Sequence, residues 1–458
     1  MNQSQGGRVH FVGIGGTGLS AIARVLAERG WEVSGSDRQA SPRTAMLCAL
    51  GVAVTIGHAP EAARGAEVVV RSSAVPDDDA DVRAARQAGV PVLKRREFLP
   101  RLTAGYRVLA VAGSHGKTTT TAMLAWVLTA LGHDPTFIIG SEARNLETNA
   151  HAGRGDFFVI EADEYDHMFL GLTPYAAIVT NIEHDHPDMF PTAEDFYEAF
   201  RRFARQVRED GFLLACADHA GSRRLAADHE GTALTYGLQS DDADYQAVDV
   251  RLNARGGYDF AFLPTAGAPV PVSLAVPGRH NVANALAVLA VVHRLGLDVP
   301  AAVKALAGFR STGRRFEVVG EAGGVVFVDD YAHHPTEIRA TLAAARERFP
   351  GHAVWAVWQP HTYSRTLTLL PQFAGAFDDA DAVVVTDVFA AREAPPEGFD
   401  PREVAAALQH PQVHFAATLE AAAEVLLAQV QPPAVVVVLS AGDAPAVTRW
   451  ALEGWQKR

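Results

Sequence analysis

The sequence contains only two cysteines, Cys48 and Cys216, among 458 residues. Two cysteines so far apart provide neither a disulfide framework nor a cysteine cluster that could hold a metal ion. Residues 1–8 are polar and have no apolar core, so we expect no secretion signal. There is also no run of about 18 apolar residues to span a membrane. These absences predict a protein of the reducing cytoplasm without membrane insertion.

Basic residues, and lysine in particular, are scarce. The 40 lysines and arginines face 53 aspartates and glutamates, which gives a net charge of -13. A chain with this charge repels a polyphosphate backbone, so we expect no nucleic-acid partner and expect local loops to hold any anionic ligand. Only four of the basic residues are lysines, namely Lys94, Lys117, Lys304 and Lys457. Lys117 is therefore followed by a long stretch with no lysine at all.

Hydrophobic periodicity divides the chain into three blocks, as expected for 458 residues, which exceed one hydrophobic core. In each block short apolar runs alternate with helical stretches, a pattern typical of mostly parallel α/β sheets. The sequence predicts an N-terminal Rossmann-like domain (1–104), a central P-loop ATPase-like domain (105–313) and a C-terminal Rossmann-like domain (314–458). A β-rich segment at 215–276 predicts a small antiparallel insertion in the central domain. Strands are predicted at residues 9–13, 31–34, 52–56, 67–71, 91–94, 106–111, 157–160, 176–180, 325–328, 353–357, 382–386 and 434–439.

A glycine-rich loop with a lysine opens the central block. The residues G-S-H-G-K-T at 113–118 follow an apolar strand and precede a helix, although Val111 occupies the position of the first glycine of the usual motif. In this arrangement backbone amides, the helix dipole and the Lys117 ammonium converge on phosphate oxygens, and the Thr118 hydroxyl can reach Mg2+. The loop therefore predicts ATP and Mg2+ as cofactors.

A second glycine-rich loop, G-I-G-G-T-G at residues 13–18, lies near the N-terminus. It follows a strand, opens a helix and has Asp37 about 20 residues further on, which is the dinucleotide-binding fingerprint. Taken alone, the loop predicts an NAD-dependent oxidoreductase, and a tight turn without a ligand is a further alternative. Because a stronger nucleotide site follows at 113–118, we favour a nucleotide-diphosphate substrate here.

Two predicted strands of the central block end in residues that can bind a metal ion. The strand at 157–160 is followed by E-A-D-E, which includes Glu161, and the strand at 176–180 is followed by N-I-E-H-D-H-P-D. The carboxyl ends of parallel strands form the ligand crevice, so Glu161 and His186 are expected near the phosphates. Oxygen and imidazole donors suit Mg2+ completed by water. The sequence leaves open whether His184 or His186 is the ligand.

Six motifs occur in order between residues 113 and 337, and together they identify a family. They are G-S-H-G-K-T-T, E-A-D-E, T-N-I-E-H-D-H, G-R-H-N-V-A-N-A, R-R-F-E and D-D-Y-A-H-H-P-T-E. With them the chain resembles the Mur ligases of peptidoglycan synthesis. The N-terminal G-I-G-G-T-G with G-S-D is similar to the branch that joins L-alanine to UDP-N-acetylmuramate.

The resemblance implies three groups of site residues. The UDP-sugar is expected at Gly15, Gly16, Thr17, Gly18, Asp37, His58, Ser72 and Ser73. ATP is expected at Gly113, Ser114, His115, Gly116, Lys117, Thr118, Thr119, Asn281, Asn284, Arg315 and Asp330. The incoming amino acid is expected at His333, His361 and Arg365. Catalytic roles are implied for Lys117, Glu161, His186 and Arg315, and Mg2+ ligation for Thr118, Glu161 and His186.

The family's reaction implies that the γ-phosphoryl group of ATP activates the muramyl carboxylate as an acyl phosphate, which the amine then attacks. The small-molecule partners would be UDP-N-acetylmuramate, L-alanine and ATP, and the protein would be a monomer or homodimer. Later-acting relatives commonly use a carbamylated lysine of the central domain, and this chain has none at 118–303. Thr362 stands where some alanine-adding members carry a basic residue, so the amino-acid carboxylate is expected to rest on Arg365.

Two other functions remain as alternatives. One is a recycling ligase that joins a murein tripeptide to UDP-N-acetylmuramate. The other is an ATP-gated binding protein with an inactive site, which the intact Lys117, Thr118, Glu161 and His186 argue against.

Overall fold

The N-terminal part of the chain forms a five-stranded parallel sheet in the order β3-β2-β1-β4-β5. The computed structural model describes residues 6–457. Residues 1–5 of the polar N-terminal segment therefore lie outside the described residues. The strand order reverses at β1, which places the glycine-rich loop after β1 at the switch point of the sheet. The elements are β1 (Arg8–Val12), α1 (Thr17–Glu28), β2 (Glu32–Asp37), α2 (Pro42–Ala49), β3 (Ala53–Ile56), α3 (Pro60–Gly65), β4 (Val68–Arg71), α4 (Ala80–Gln87), β5 (Val92–Lys94) and α5 (Arg95–Leu102).

The central part forms one ten-stranded sheet in the order β15-β14-β13-β12-β11-β10-β6-β9-β7-β8. Its elements are β6 (Arg107–Ala112), α6 (Lys117–Ala130), β7 (Thr136–Ala143), β8 (Thr148–His151), β9 (Phe157–Glu161), a 3-10 helix (Tyr165–Gly171), β10 (Ala176–Val179), α7 (Ala193–Ala204), β11 (Phe212–Cys216), α8 (Ala220–Asp228), β12 (Ala233–Gly237), β13 (Tyr245–Leu252), β14 (Tyr258–Pro264), β15 (Val270–Ser273), α9 (Arg279–Arg294) and α10 (Val299–Ala307). β6 lies between β9 and β10, so the loop that follows it opens at the middle of the carboxyl edge.

The antiparallel strands predicted within 215–276 are present as β13, β14 and β15. They are not separated from the main sheet, because β13 pairs in parallel with β12 and so continues its hydrogen-bonded ladder. β12, in the first part of that segment, pairs in parallel with β11, which ends at the start of the segment. The sequence did not indicate the hairpin of β7 and β8 at the other edge.

The C-terminal part forms a six-stranded sheet in the order β16-β17-β21-β18-β19-β20, in which β16 alone is antiparallel to its neighbour. Its elements are β16 (Glu317–Ala322), β17 (Val325–Asp330), α11 (Pro335–Arg348), β18 (Ala353–Trp358), α12 (Tyr363–Thr368), α13 (Leu370–Ala374), β19 (Ala382–Thr386), α14 (Pro401–Ala406), β20 (Val413–Ala416), α15 (Leu419–Gln429), β21 (Ala434–Leu439) and α16 (Pro445–Gln456). The edge strands β16 and β20 were not predicted. The predicted boundaries at 104/105 and 313/314 stay a prediction.

Apolar side chains on both faces of each sheet form the cores. Strands such as β10 and β21 are buried at every position, as expected where helices cover both faces of a parallel sheet. Among the residues that the structure describes, no helix is long and apolar enough to cross a membrane.

Candidate active site

The loop after β6, residues 113–116, is called the phosphate loop because its sequence predicts phosphate binding. Side chains that follow β10 hold its backbone in place. Gly113 and Gly116 have φ values of +136° and +81°, which L side chains rarely adopt. The Thr180 hydroxyl donates to the His115 carbonyl over 2.5 Å, and the Asn181 Oδ1 accepts from the His115 amide over 2.8 Å. These contacts fix the loop so that it leads directly into α6, whose amino end carries Lys117.

Lys117 lies inside this loop and is surrounded by oxygen atoms. Its Nζ donates to the carbonyls of Gly113 (2.6 Å) and Ser114 (3.2 Å) and to Oε1 of Glu164 (3.0 Å). Burial alone would lower the pKa of Lys117, but Glu164 and its acidic neighbours outweigh burial and raise it. The ammonium is therefore charged. Glu164 is fully buried, and no role was predicted for it beyond its place in E-A-D-E.

Glu161 lies beside the first residues of α6. Its Oε1 accepts from the Thr118 hydroxyl over 2.9 Å, and its Oε2 accepts from the Gly140 amide over 2.7 Å. Burial raises the pKa of the Glu161 carboxyl. Gly140 belongs to β7, so this contact comes from the hairpin that the sequence did not indicate.

The structure separates the two histidines that the sequence could not distinguish. His184 is hydrogen-bonded through Nε2 to the carbonyl of Phe190 over 2.8 Å. His186 instead lines the cavity above the phosphate loop, and its Nε2 lies 3.6 Å from Oε1 of Glu164. Of the two, only His186 thus lines the same cavity as Lys117 and Glu161.

Two cavities meet at the phosphate loop. The larger cavity, of about 590 Å3, is lined by residues of all three parts of the chain. The smaller cavity, of about 350 Å3, lies between the central and C-terminal parts. Gly116, Arg315 and Glu337 line both. A single extended ligand can therefore pass over the loop from one cavity to the other.

The two asparagines predicted for ATP lie along the smaller cavity. Asn281 donates through Nδ2 to the carbonyl of Pro277 over 2.7 Å, and Asn284 donates to Oδ1 of Asn281 over 3.1 Å. A Cβ atom on Gly116 would lie 2.8 Å from Oδ1 of Asn284. The start of α9 is thus packed directly against the phosphate loop.

Asp330, also predicted for ATP, lines the smaller cavity but serves the backbone around it. Its carboxylate accepts from the amides of Phe316 and Ala332, both over 2.7 Å. Burial raises the pKa of Asp330 to about 6. The side chain therefore fixes the segment that carries Arg315.

Glu337, the last residue of the D-D-Y-A-H-H-P-T-E motif, lies in the site although no role was predicted for it. Its Oε1 lies 3.4 Å from Nη1 of Arg315, and its Oε2 accepts from the His333 amide over 3.1 Å. Burial would raise the pKa of Glu337, but His333, His115 and Arg315 hold it well below its usual range. Glu337 is thus an ionised carboxylate that orients Arg315, and Arg315 lines both cavities.

The predicted amino-acid side of the larger cavity is built around Arg365. Its Nε donates to Oδ1 of Asp185 over 2.7 Å, both side chains being almost completely buried, and its Nη1 donates to Nδ1 of His361 over 3.0 Å. Burial lowers the pKa of His333 to about 3 and that of His361 to about 4, so both are neutral. Asp185, for which no role was predicted, therefore accepts one of the hydrogen bonds that the Arg365 guanidinium can donate.

The N-terminal loop reaches the same cavity. Thr17 and Gly18 line it, and the Gly15 amide donates to Oδ2 of Asp37 over 2.8 Å. Arg95, which was not predicted, also lines it and donates to Oδ2 of Asp163 over 3.2 Å. These contacts bring the N-terminal and central parts together beside Lys117.

The other residues predicted for the UDP-sugar lie outside the larger cavity. Ser73 donates to Asp166, and the Ser72 hydroxyl accepts from the Ala74 amide over 3.3 Å. His58 is 54% exposed, and its Nδ1 lies 3.6 Å from Oδ2 of Asp79. Gly16 is part of the glycine-rich loop, where its amide donates to the Gly13 carbonyl over 3.2 Å, and Asp37 is bonded to the loop at Gly15.

Three family models cover nearly the whole chain. They are the Mur ligase family catalytic domain at residues 8–107, the Mur ligase middle domain at 111–292, and the Mur ligase glutamate ligase domain at 314–442. The chain belongs to the Mur ligase family. The resemblance inferred from the motifs is therefore confirmed.

Individual members of the Mur ligase family are similar over most of their length. The UDP-N-acetylmuramate–L-alanine ligase of Frankia casuarinae is 47% identical, with 84% of this chain and 83% of that one covered. The enzyme of the same name from Rubrobacter xylanophilus is 44% identical, with coverages of 95% and 97%. Among solved structures, the UDP-N-acetylmuramate-alanine ligase of Thermotoga maritima matches with a TM-score of 0.80, 30% identity and coverages of 98% and 99%. The murein peptide ligase of Psychrobacter arcticus matches with a TM-score of 0.71, 25% identity and 99% coverage of both chains.

Proposed function

We propose that this Mur ligase joins L-alanine to UDP-N-acetylmuramate at the expense of ATP, in the synthesis of peptidoglycan precursors. The observation that carries the proposal is the larger cavity. There the N-terminal glycine loop, the phosphate loop with Lys117 and the buried Arg365 meet around one space. The relatives of highest identity quoted above carry the name of this activity.

The two cavities suggest how ATP lies on the protein. The base would occupy the smaller cavity beside Asn281 and Asn284, and the phosphates would cross the loop at Gly116. The γ-phosphate would then enter the larger cavity between Lys117 and Arg315. These two cations would disperse the charge that develops on the transferred phosphoryl group.

The donor set beside Lys117 fits Mg2+. Thr118 and Glu161 supply hard oxygen atoms and His186 an imidazole nitrogen, and all three line the larger cavity. Burial raises the pKa of Glu161, and a bound divalent cation would offset that effect. When bound, the ion would neutralise phosphate oxygens during transfer.

The reaction requires activation because a carboxylate is anionic and resonance-stabilised. Transfer of the γ-phosphoryl group to the muramyl carboxylate oxygen gives an acyl phosphate and ADP, and attack by the amine then expels inorganic phosphate. The N-terminal loop, placed at a helix N-terminus, would hold the diphosphate of the UDP-sugar so that its muramyl group reaches Lys117.

His333 would receive the amino group. Its Nδ1 lies 2.9 Å from the Tyr331 carbonyl, which can only accept, so Nδ1 carries the proton. Because His333 is neutral, its Nε2 is left with a lone pair that can accept a hydrogen bond from an ammonium or amine. Arg365 would contact the amino-acid carboxylate with the N–H groups that Asp185, His361 and His186 leave free.

A ligation assay with UDP-N-acetylmuramate, ATP and a panel of amines tests the proposal. We expect phosphate release that depends on both substrates, with L-alanine preferred over serine and glycine by about 1 to 3 kcal/mol. Efficient use of L-Ala-γ-D-Glu-diaminopimelate with little use of free alanine would instead assign the recycling reaction. That alternative is kept because the murein peptide ligase of Psychrobacter arcticus shares the fold over the full length.

The variant Gly15→Val is expected to weaken UDP-sugar binding and to spare nucleotide binding at the phosphate loop. A Cβ atom at Gly15 would lie 2.9 Å from Oδ2 of Asp37 and 3.2 Å from Cγ2 of Thr44. The Kd for UDP-N-acetylmuramate, measured by calorimetry, should rise about tenfold or more, the equivalent of roughly 1.4 kcal/mol. Gly65→Val is the matched control, because a Cβ there meets open space. Loss of ADP affinity in Gly15→Val would mean that the nucleotide assignments are exchanged.

The variant Arg365→Lys is expected to raise the KM for L-alanine about tenfold or more, because an ammonium cannot reproduce the guanidinium fork. The lysine can still pair with Asp185, which limits the effect on the fold. Steady-state kinetics with varied L-alanine would measure the change. An unchanged KM for alanine would place the amino-acid carboxylate elsewhere in the larger cavity.

A further inference from the structure

His115 belongs to the phosphate loop, but it lines the smaller cavity and not the larger one. The ring is 11% exposed, and each of its nitrogens faces a carboxylate. Nε2 lies 3.0 Å from Oε2 of Glu183, and Nδ1 lies 3.4 Å from Oε1 of Glu337. Glu183 follows β10 in the central part, whereas Glu337 lies in the first turn of α11 in the C-terminal part. His115 therefore bridges two parts of the chain.

The surroundings of His115 join the same two parts. The Thr336 hydroxyl donates to Oε1 of Glu183 over 2.7 Å, and the His334 ring centroid lies 4.5 Å from that of His115. Glu337 in turn pairs with Arg315. The contacts thus run without interruption from the phosphate loop to the arginine that lines both cavities.

The charges of the cluster match this arrangement. Burial alone would lower the pKa of His115, but Glu183 and Glu337 outweigh it and raise the pKa to about 9. Burial would raise the pKa of Glu183, whereas His115 and Thr336 lower it to about 2. Burial lowers the pKa of His334 to about 4 and also lowers that of the nearby His219, so these two rings are neutral. The cluster therefore holds one imidazolium between two carboxylates.

We propose that His115 is a positioning residue: as an imidazolium it ties the phosphate loop to α11 and, through Glu337, sets Arg315 at the γ-phosphate. The proposal rests on the proposed function for the role of Arg315. Because the pKa of His115 is raised from its ordinary 6.5 to about 9, the contact is complete below 6.5 and is lost as the pH rises through about 9. Without the proton, one ring nitrogen presents a lone pair to a carboxylate, and the contact that His115 makes between the two parts of the chain is lost.

Kinetics of His115→Phe, which keeps the ring and removes both nitrogens, test the proposal. We expect kcat to fall about tenfold or more while the Kd for ADP changes less than about threefold, since the loop amides remain. Wild-type kcat should decline above a pH of about 9, and the variant should lack that decline. Glu337→Gln should move the decline to lower pH, because one of the two carboxylates is removed. His414→Phe is the control, a half-exposed ring stacked on Trp355 away from both cavities.

Small-angle X-ray scattering of the full chain gives a second reading that needs no turnover. The radius of gyration of His115→Phe at about pH 7.5 should exceed that of the wild type by about 1 Å or more, and the wild type should approach the variant at about pH 10.

If the wild type shows this change but releases no phosphate with the proposed substrates, only the proposed function is wrong. Equal radii, kcat within twofold of wild type, or a parallel loss of ADP affinity would overturn the role of His115. Micromolar Zn2+ that inhibits the wild type but not His115→Phe would also overturn it, by assigning His115, Glu183 and His334 to a metal site.

Discussion

Replacing Lys117 with alanine is expected to reduce kcat for ligation by about a thousandfold or more, because it removes the cation that we propose faces the transferred phosphate. The ammonium also neutralises Glu164, which is fully buried. The single variant therefore leaves this buried carboxylate without the ammonium that pairs with it, and a lower melting temperature is expected as well. Phosphate release and differential scanning calorimetry measure the two effects.

The double variant Lys117→Ala/Glu164→Gln separates catalysis from folding. It removes the unpaired charge, so the melting temperature should recover while ligation remains lost. Lys304→Ala is the control, because Lys304 is exposed on α10 and lines neither cavity. Near-normal turnover in the double variant would contradict the assigned phosphate site.

The variant Glu161→Gln is expected to reduce kcat about a hundredfold or more and to raise the Mg2+ concentration needed for half-maximal rate. Glutamine has the same size, its amide oxygen can still accept from the Gly140 amide, and its NH2 group can donate to the Thr118 hydroxyl oxygen, so the fold should be retained. The missing negative charge is what weakens binding of the ion. Phosphate release at varied Mg2+ measures the effect.

Glu142→Gln is the matched control, since Glu142 is exposed on β7, close to Gly140 in the same strand. An unchanged Mg2+ dependence in Glu161→Gln would remove this carboxylate from the proposed metal site. A similar loss in Glu142→Gln would instead indicate a general effect of charge on that strand.

The parallel strands of the three sheets could be predicted because their signal is local. Runs such as those that form β10 and β21 are buried throughout, β6 is buried at every position after Arg107, and all three appear in the sequence as continuous apolar segments. The edge strands β16 and β20 escaped prediction because they are only partly buried and lack such a run. The β7–β8 hairpin escaped because polar residues interrupt its second half.

The site residues likewise divide into those that a short segment of sequence predicts and those that it does not. The phosphate loop was recognised from one short segment, since its conformation and its chemistry are both set by adjacent residues. The role of Glu164 was missed, because nothing in E-A-D-E shows which carboxylate will face Lys117. The assignments of individual residues to ATP, UDP-sugar, amino acid and Mg2+ stay predictions that the variants above test.

The sequence by itself determined the α/β class, the two glycine loops and the membership of the Mur ligase family, because each depends on residues close together in the chain. Only the tertiary structure decided which distant charges meet. Arg365 pairs with Asp185, which lies 180 positions away, and His115 joins Glu183 to Glu337 across two sheets. The packing of the sheets against each other decides which charged residues pair. Burial then makes it unfavourable to leave any of these charges unpaired.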